Sequence, residues 1–285
     1  RALPGYLDLT RGYDAATGSA ASFGLLSIVS TLAWGLGYFG MPHILLRFMA
    51  IEDAEKLNTS RRIATVWVVI SMAIAVAIGV IGNGVTAAGK VPFLSTSAEA
   101  ETIIIKLSDL MSQHGLLLAV AAGVILSGIL AATMSTADSQ LLAAASSVSQ
   151  DLMQDFLGIK MDEKATMRTA RITVLGIAIV GVLLAWDPNS SVFRVVSFAW
   201  AGFGASFGPV MLFSLFWKRT SKQGALAGLI VGGGMVFIWK YLIAPMGGAW
   251  AIYELLPAFL CACAAIVIVS LLTPAPDKAV VDTYE

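Results

Sequence analysis

Apolar residues fill seven long stretches of this chain, approximately Phe23 to Met49, Ile63 to Ala87, Leu116 to Val148, Ile172 to Trp186, Val192 to Trp217, Ala225 to Ile243 and Ile252 to Leu272. About 30 Å of hydrocarbon takes roughly 20 apolar residues to cross as an α-helix, and lipid offers no hydrogen-bond partner to an open backbone. The stretches therefore predict an all-α integral membrane protein with about seven transmembrane helices, the short fourth one starting nearer Met167. Composition agrees, with 58% hydrophobic and only 13% charged residues, about half the charged share of a soluble domain. Net charge is zero, so a nucleic-acid partner is not expected, and the lipid bilayer is the surrounding that the sequence implies.

The Lys/Arg distribution orients the spans. Arg47, Lys56, Arg61, Arg62, Lys160, Lys164, Arg168, Arg171, Lys218, Arg219, Lys222 and Lys278 fall in alternate connections, and they are twelve of the eighteen basic residues. By the positive-inside rule those connections are cytoplasmic. The N-terminal end of the chain is then outside and the tail, 274–285, cytoplasmic. Among the outer connections the longest, Ala88 to Gly115, contains an amphipathic stretch from Ser97 to Met111, read as one external helix lying on the protein. Cys261 and Cys263, two positions apart on the last span, are read as packing residues. The aromatic residues near span ends, Trp186, Trp217, Trp239, Tyr241, Trp250 and Tyr253, are read as interfacial anchors. Arg47 is read as a snorkelling or ion-paired residue at the inner end of the first span. The chain opens on Arg1 rather than Met, which is read as the mark of a piece of something longer.

Two polar interruptions stand out from this apolar background. The first is Ala131-Ala132-Thr133-Met134-Ser135-Thr136-Ala137-Asp138-Ser139-Gln140, inside the third stretch. An unpartnered buried hydroxyl costs on the order of 1–3 kcal/mol and an acid more, so such a cluster marks a functional site by default. Against that stands the plain structural reading, in which membrane Ser and Thr bond their own i−4 carbonyl. The presence of Asp138 favours function. The second is Trp34-Gly35-Leu36-Gly37-Tyr38-Phe39-Gly40-Met41-Pro42-His43, near the middle of the first stretch. Three glycines and a proline predict a broken helix, and broken helices at mid-membrane are where secondary transporters place their solutes. Trp34, Tyr38 and Pro42 recur every four residues and form one apolar stripe.

Enzymatic motifs are missing from the sequence: there is no Gly-rich phosphate loop, no His-Glu-x-x-His, no Gly-x-Ser-x-Gly and no His/Cys metal spacing. The chain is read as not an enzyme. A transporter-like solute sensor is the rival from another class, since the same architecture can bind a solute and report it.

Trp34 to Ala50 and Ala131 to Leu142 resemble the signature helices of the solute:sodium symporter family, and within it the sodium/proline symporters. The likeness continues through Ser197 to Pro209, Gly224 to Gly228 and Tyr253 to Pro257. The resemblance implies a LeuT-type inverted-repeat fold. In that arrangement, 22–217 is the second five-helix repeat, 222–273 two additional helices, and 1–285 as a whole the C-terminal part of one transporter domain whose N-terminal repeat is missing. It implies Na⁺-coupled symport of L-proline or a related small amino acid at the plasma membrane, or of another small organic solute. Trp34, Tyr38 and Pro42 are then the substrate-binding residues. The Ala132 carbonyl and the Ser135 and Thr136 hydroxyls are Na⁺ ligands, and oxygen ligands suit so hard a cation. Asp138 and Ser139 are a second cation site or exit path, and Trp200 and Phe203 gating residues. One departure is visible: where many proline symporters carry Gln before the Pro-His pair, this chain has Met41, which puts proline selectivity in question if that amide holds the ligand.

Overall fold

The computed structural model describes residues 8, 10–14, 19–186, 191–276 and 281. Sequence readings that rest on Arg1, on Lys278, on the Arg47 side chain or on most of the 274–285 tail lie outside the described residues. Two short strands, β1 (Arg11–Asp14) and β2 (Ser19–Ser22), pair antiparallel. Among the described residues they precede ten α-helices: α1 (Leu25–Gly37), α2 (Pro42–Met49), α3 (Lys56–Ala87), α4 (Ser97–Ala100), α5 (Ile103–Ser112), α6 (Leu116–Ser146), α7 (Glu163–Leu184), α8 (Val192–Phe216), α9 (Lys222–Ile238) and α10 (Leu255–Leu272). Among the described residues six helical segments are long and apolar enough to cross a membrane. Apart from the β1–β2 pair, the described residues form an all-helical, multi-pass membrane architecture.

The first stretch departs from a single span in the way its glycines and proline foretell. α1 ends at Gly37, a 3₁₀ turn covers Tyr38–Gly40, Met41 is extended, and α2 starts on Pro42. Pro at the first helical position loses nothing, because its missing N–H would have been unpaired there. Other boundaries move as well. α7 begins at Glu163, ahead of both Ile172 and Met167, because the Asp162 side chain accepts from the Ala165 N–H and starts the helix early. α6 does not stop near Val148 but runs on as a π-helix over Ser147–Phe156. Ser149 Oγ donates to the Ala145 carbonyl at 2.8 Å, while the Gln154 amide donates to the Ser149 carbonyl and to Thr166 Oγ1. These side-chain bonds support the wider turns.

The chain forms two bodies. One is made by residues 62–192. In it Gly82 of α3 faces Ile103 of α5 so closely that a Cβ would collide with the isoleucine side chain. The external Ser97–Met111 stretch is two helices rather than one, parted at Glu101-Thr102. Thr96 and Glu99 form a capping box at the start of α4. The Glu99 carboxyl is held below its ordinary range, first by hydrogen bonds from the Ser95 N–H and hydroxyl and then by the Thr96 N–H. Glu101 turns away to accept from Ser191 Oγ at 2.7 Å and from the Val192 N–H at 3.0 Å. A carboxylate there satisfies an otherwise open N–H.

The other body comprises the segment up to residue 61 and that from 193 onward. Its core is Ala201, Ala205, Val236, Leu255, Ala258 and Phe259. Small residues let these helices approach to backbone contact, the usual device where lipid supplies no hydrophobic drive between helices. A Cβ on Gly232 of α9 would strike the Ala205 carbonyl of α8, and one on Gly228 the Ile266 side chain of α10. Cys263 packs against this core, as its position on the last span leads one to expect. Outside the contacts, the apolar residues of α3, α6 and α7 are largely exposed, which suits lipid or further protein.

Candidate functional site

The helix break builds its own site. At the end of α1 the Tyr38 N–H turns to the Gly35 carbonyl, three residues back. The Trp34 carbonyl, which regular α-helix geometry would have paired with Tyr38, is met instead by the Trp200 indole N–H at 3.1 Å. A neighbouring tryptophan thus satisfies a carbonyl that the break sets free, as a buried backbone group requires. The close approach needs glycine. A Cβ on Gly37 would occupy the Trp200 indole ring, and one on Gly40 would strike the Phe203 carbonyl and come within 2.8 Å of the Gly204 Cα. Gly204 in turn would place a Cβ 2.7 Å from the Gly37 Cα.

Around this seam lies an aromatic cluster. The Trp34 ring is stacked with Trp200 at 5.8 Å, Tyr253 at 5.7 Å and Phe193 at 5.4 Å. Tyr38 meets Trp200 edge-on at 4.9 Å and is itself 56% exposed. Of the predicted substrate residues, Trp34 and Tyr38 are brought together through Trp200, while Pro42 is exposed at the start of α2. Trp200, expected as a gate, is a direct partner of Trp34. Phe203 is 45% exposed and stacks on Phe207 along α8. Met41 is buried at 4% exposure, and its carbonyl accepts from the Ile44 and Leu45 N–H groups. It fills the interior at the break, as a flexible thioether does well.

Sequence reasoning missed Tyr253 and Phe193. Tyr253, read as an interfacial anchor, is half-buried, and its hydroxyl donates to the Ser197 carbonyl at 2.6 Å. The available signal was the Tyr-Glu pair just ahead of an apolar span, since a buried phenol needs a polar partner and a buried carboxylate needs a cation.

The hydroxyl cluster lies on α6, in the other body. All residues from 131 to 140 are exposed. Thr136 Oγ1 donates to the Ala132 carbonyl at 3.1 Å, Ser139 Oγ to the Ser135 carbonyl at 3.0 Å and Thr133 Oγ1 to the Ile129 carbonyl at 2.9 Å. Each is the i−4 bond of the plain structural reading. Such a bond uses the hydroxyl proton and leaves oxygen lone pairs available, and a carbonyl keeps its second lone pair. Ala132 and Thr136 thus present two adjacent oxygens, with Ser135 beside them. This is a hard-oxygen set of the kind Na⁺ takes and it fits the ion in chemistry, though three oxygens fall short of a full shell. Asp138 and Ser139 follow within one turn, also exposed.

Two clefts of ≈ 590 Å³ each occur elsewhere, one at the α8–α9 connection beside Pro274 and Pro276, the other between the end of α6 and the start of α7. Neither is lined by the predicted site residues.

Comparison with known proteins gives the site its context. Residues 13–232 match the sodium:solute symporter family. The chain is similar to a sodium/proline symporter of Haemophilus influenzae, 41% identical over 260 residues, covering 91% of this chain and 51% of the relative. It is similar to the high-affinity proline transporter PutP of Bacillus subtilis, 42% identical over 264 residues, 91% of this chain and 52% of the relative. It is likewise similar to a sodium/proline symporter of Escherichia coli, 40% identical over 254 residues, 89% of this chain and 49% of the relative. The chain spans about half the length of these curated relatives. No solved structure matches it. With a family match over most of its length, broken first helix and hydroxyl-bearing α6 included, the chain belongs to the sodium:solute symporter family.

Proposed function

We propose that the protein is a secondary active transporter that couples the inward Na⁺ gradient to uptake of L-proline, or a closely related small amino acid, across the plasma membrane. The observation that carries this reading is the aromatic seam at a broken helix, in a chain about 40% identical, over nearly all its length, to proteins named as proline transporters. A pyrrolidine ring is a small apolar body with a zwitterionic end. The exposed face of Tyr38 offers it an apolar wall, and the unwound turn at 38–41 offers polar backbone to the charged end.

In this reading the helices have a LeuT-type arrangement, with 22–217 as a five-helix repeat, 222–273 as an added pair, the chain's start outside and its tail cytoplasmic. Ala132, Ser135 and Thr136 hold Na⁺ from the α6 side, and the first core helix of an N-terminal repeat supplies the remaining oxygens. Asp138 and Ser139 line the ion's way inward. Na⁺ binding favours the state that accepts solute, so each ligand tightens the other by the same factor.

The division of roles is tested on the complete transporter. At saturating Na⁺, Trp34→Ala and Tyr38→Ala are each expected to raise the half-saturation concentration for proline by about tenfold or more, as loss of an aromatic anchor does. The Na⁺ requirement measured at saturating proline should stay within about twofold, well below that effect. Equal shifts in both would contradict the assignment, and uptake of a different solute in competition would move the substrate while keeping the mechanism.

A further inference from the structure

Tyr253 stands two residues ahead of α10, on the pair of helices outside the five-helix repeat, yet its contacts converge on the broken helix. The hydroxyl donates to the Ser197 carbonyl of α8 at 2.6 Å, and Ser197 is buried. The backbone N–H donates to Ser30 Oγ of α1 at 3.1 Å. The ring lies 5.7 Å from that of Trp34 at an interplanar angle of 15°. The next residue, Glu254, is buried at 4% exposure and pairs with Lys240 Nζ at 3.1 Å. The phenol is thereby fixed at its tip to α8, at its backbone to α1, and through its neighbour to the end of α9. A residue that only filled space would need none of these polar ties, and a buried carboxylate is costly to keep unless its cation holds it in place.

We propose that Tyr253 is a positioning residue of the solute pocket: anchored by Ser197, Ser30 and the Glu254–Lys240 pair, its ring sets the plane of the Trp34 indole, so that α10 controls solute affinity without touching the solute. This rests on the transport reading for its substrate, and on geometry alone for the coupling between Tyr253 and Trp34. Tyr253→Phe keeps the ring and removes one hydrogen bond. Glu254→Gln keeps the shape and removes the charge.

The test uses the complete transporter. Tyr253→Phe is expected to raise the half-saturation concentration for proline by about 3–10-fold with maximal rate and membrane amount unchanged, the scale of one lost hydrogen bond. Glu254→Gln is expected to act in the same direction, and in a Trp34→Phe background Tyr253→Phe is expected to add little. The substrate-free readout is a melting-temperature cycle of wild type, Tyr253→Phe, Trp34→Phe and the double variant, expected to be non-additive because the two rings act as a unit. An unchanged half-saturation in Tyr253→Phe, or independent multiplication of the two single effects, overturns the proposal. Should the wild type take up no proline, the transport reading fails, and the melting cycle still decides: non-additivity supports the positioning role and additivity overturns it.

Discussion

Replacing Ser135 and Thr136 together by alanine is expected to abolish Na⁺-driven accumulation of solute while leaving the amount of folded transporter in the membrane unchanged. Both residues are exposed on α6, so truncation opens no cavity. Thr136 Oγ1 shares the Ala132 carbonyl at 3.1 Å, and losing that i−4 bond costs the helix little. In the proposed reading, what is lost is ligation. A polar contact to a charged group is worth about 1.5–3 kcal/mol, so removing two hydroxyl oxygens should raise the Na⁺ half-saturation by about 100-fold or more. Thr136→Ser keeps an oxygen at the position and should retain most of the response. Sodium titration of proline binding to the purified transporter measures this, and a Na⁺ half-saturation left at the wild-type value would remove these hydroxyls from the ion site.

The second large effect is expected at Gly40. Its missing Cβ is what allows the break to lie against α8, since an added methyl would strike the Phe203 carbonyl and approach the Gly204 Cα to 2.8 Å and the Gly208 N to 2.9 Å. All three are backbone atoms and cannot swing away. Overpacking of this kind costs about 1–3 kcal/mol and sometimes more, so Gly40→Ala should depress the melting temperature and the membrane yield together. Gly35 is the internal control. It lies in α1, about one turn before the break, and a Cβ there meets nothing within 4 Å. Gly35→Ala should be neutral or stabilising by up to about 1 kcal/mol through helix propensity. Equal tolerance of both substitutions in a thermal melt would mean that the α1–α8 seam is not packed as described.

The membrane architecture was legible because it depends on the least context-dependent signals, apolar length and the lack of charge. Gly37, Gly40 and Pro42 announced the break in the first stretch, and the structure places it at Tyr38–Met41, since Pro42 can start a helix but not continue one. What the sequence concealed was set by tertiary partners. The π-helix over Ser147–Phe156 depends on Gln154 reaching Thr166 of another helix. The division of the external stretch at Glu101 depends on Ser191 and Val192, some ninety residues away. Trp34, Tyr38 and Trp200 could be picked out as aromatics in unusual surroundings. Tyr253 reads in the sequence as an interfacial anchor, as tyrosine near a span end ordinarily does; the Tyr-Glu pair is the one sequence signal against that, and the Ser197 and Ser30 contacts make it explicit.

Met41 illustrates a subtler division. The sequence marks it as a departure near the solute site, and the structure buries it while its carbonyl caps the first turn of α2. An amide at that place would need buried partners of its own, so the methionine is a packing solution for this chain. In the proposed reading, proline selectivity rests on the aromatic seam and the unwound turn, where Trp34, Trp200 and Tyr38 meet.

The most direct measurement is uptake of labelled L-proline by proteoliposomes holding the complete transporter, with an inward Na⁺ gradient and with none. The account predicts accumulation above equilibrium only with the gradient, collapse of that accumulation when a sodium ionophore is added, and its loss in the Ser135→Ala, Thr136→Ala double variant. Proline binding without gradient-driven accumulation, or accumulation indifferent to Na⁺, would contradict it.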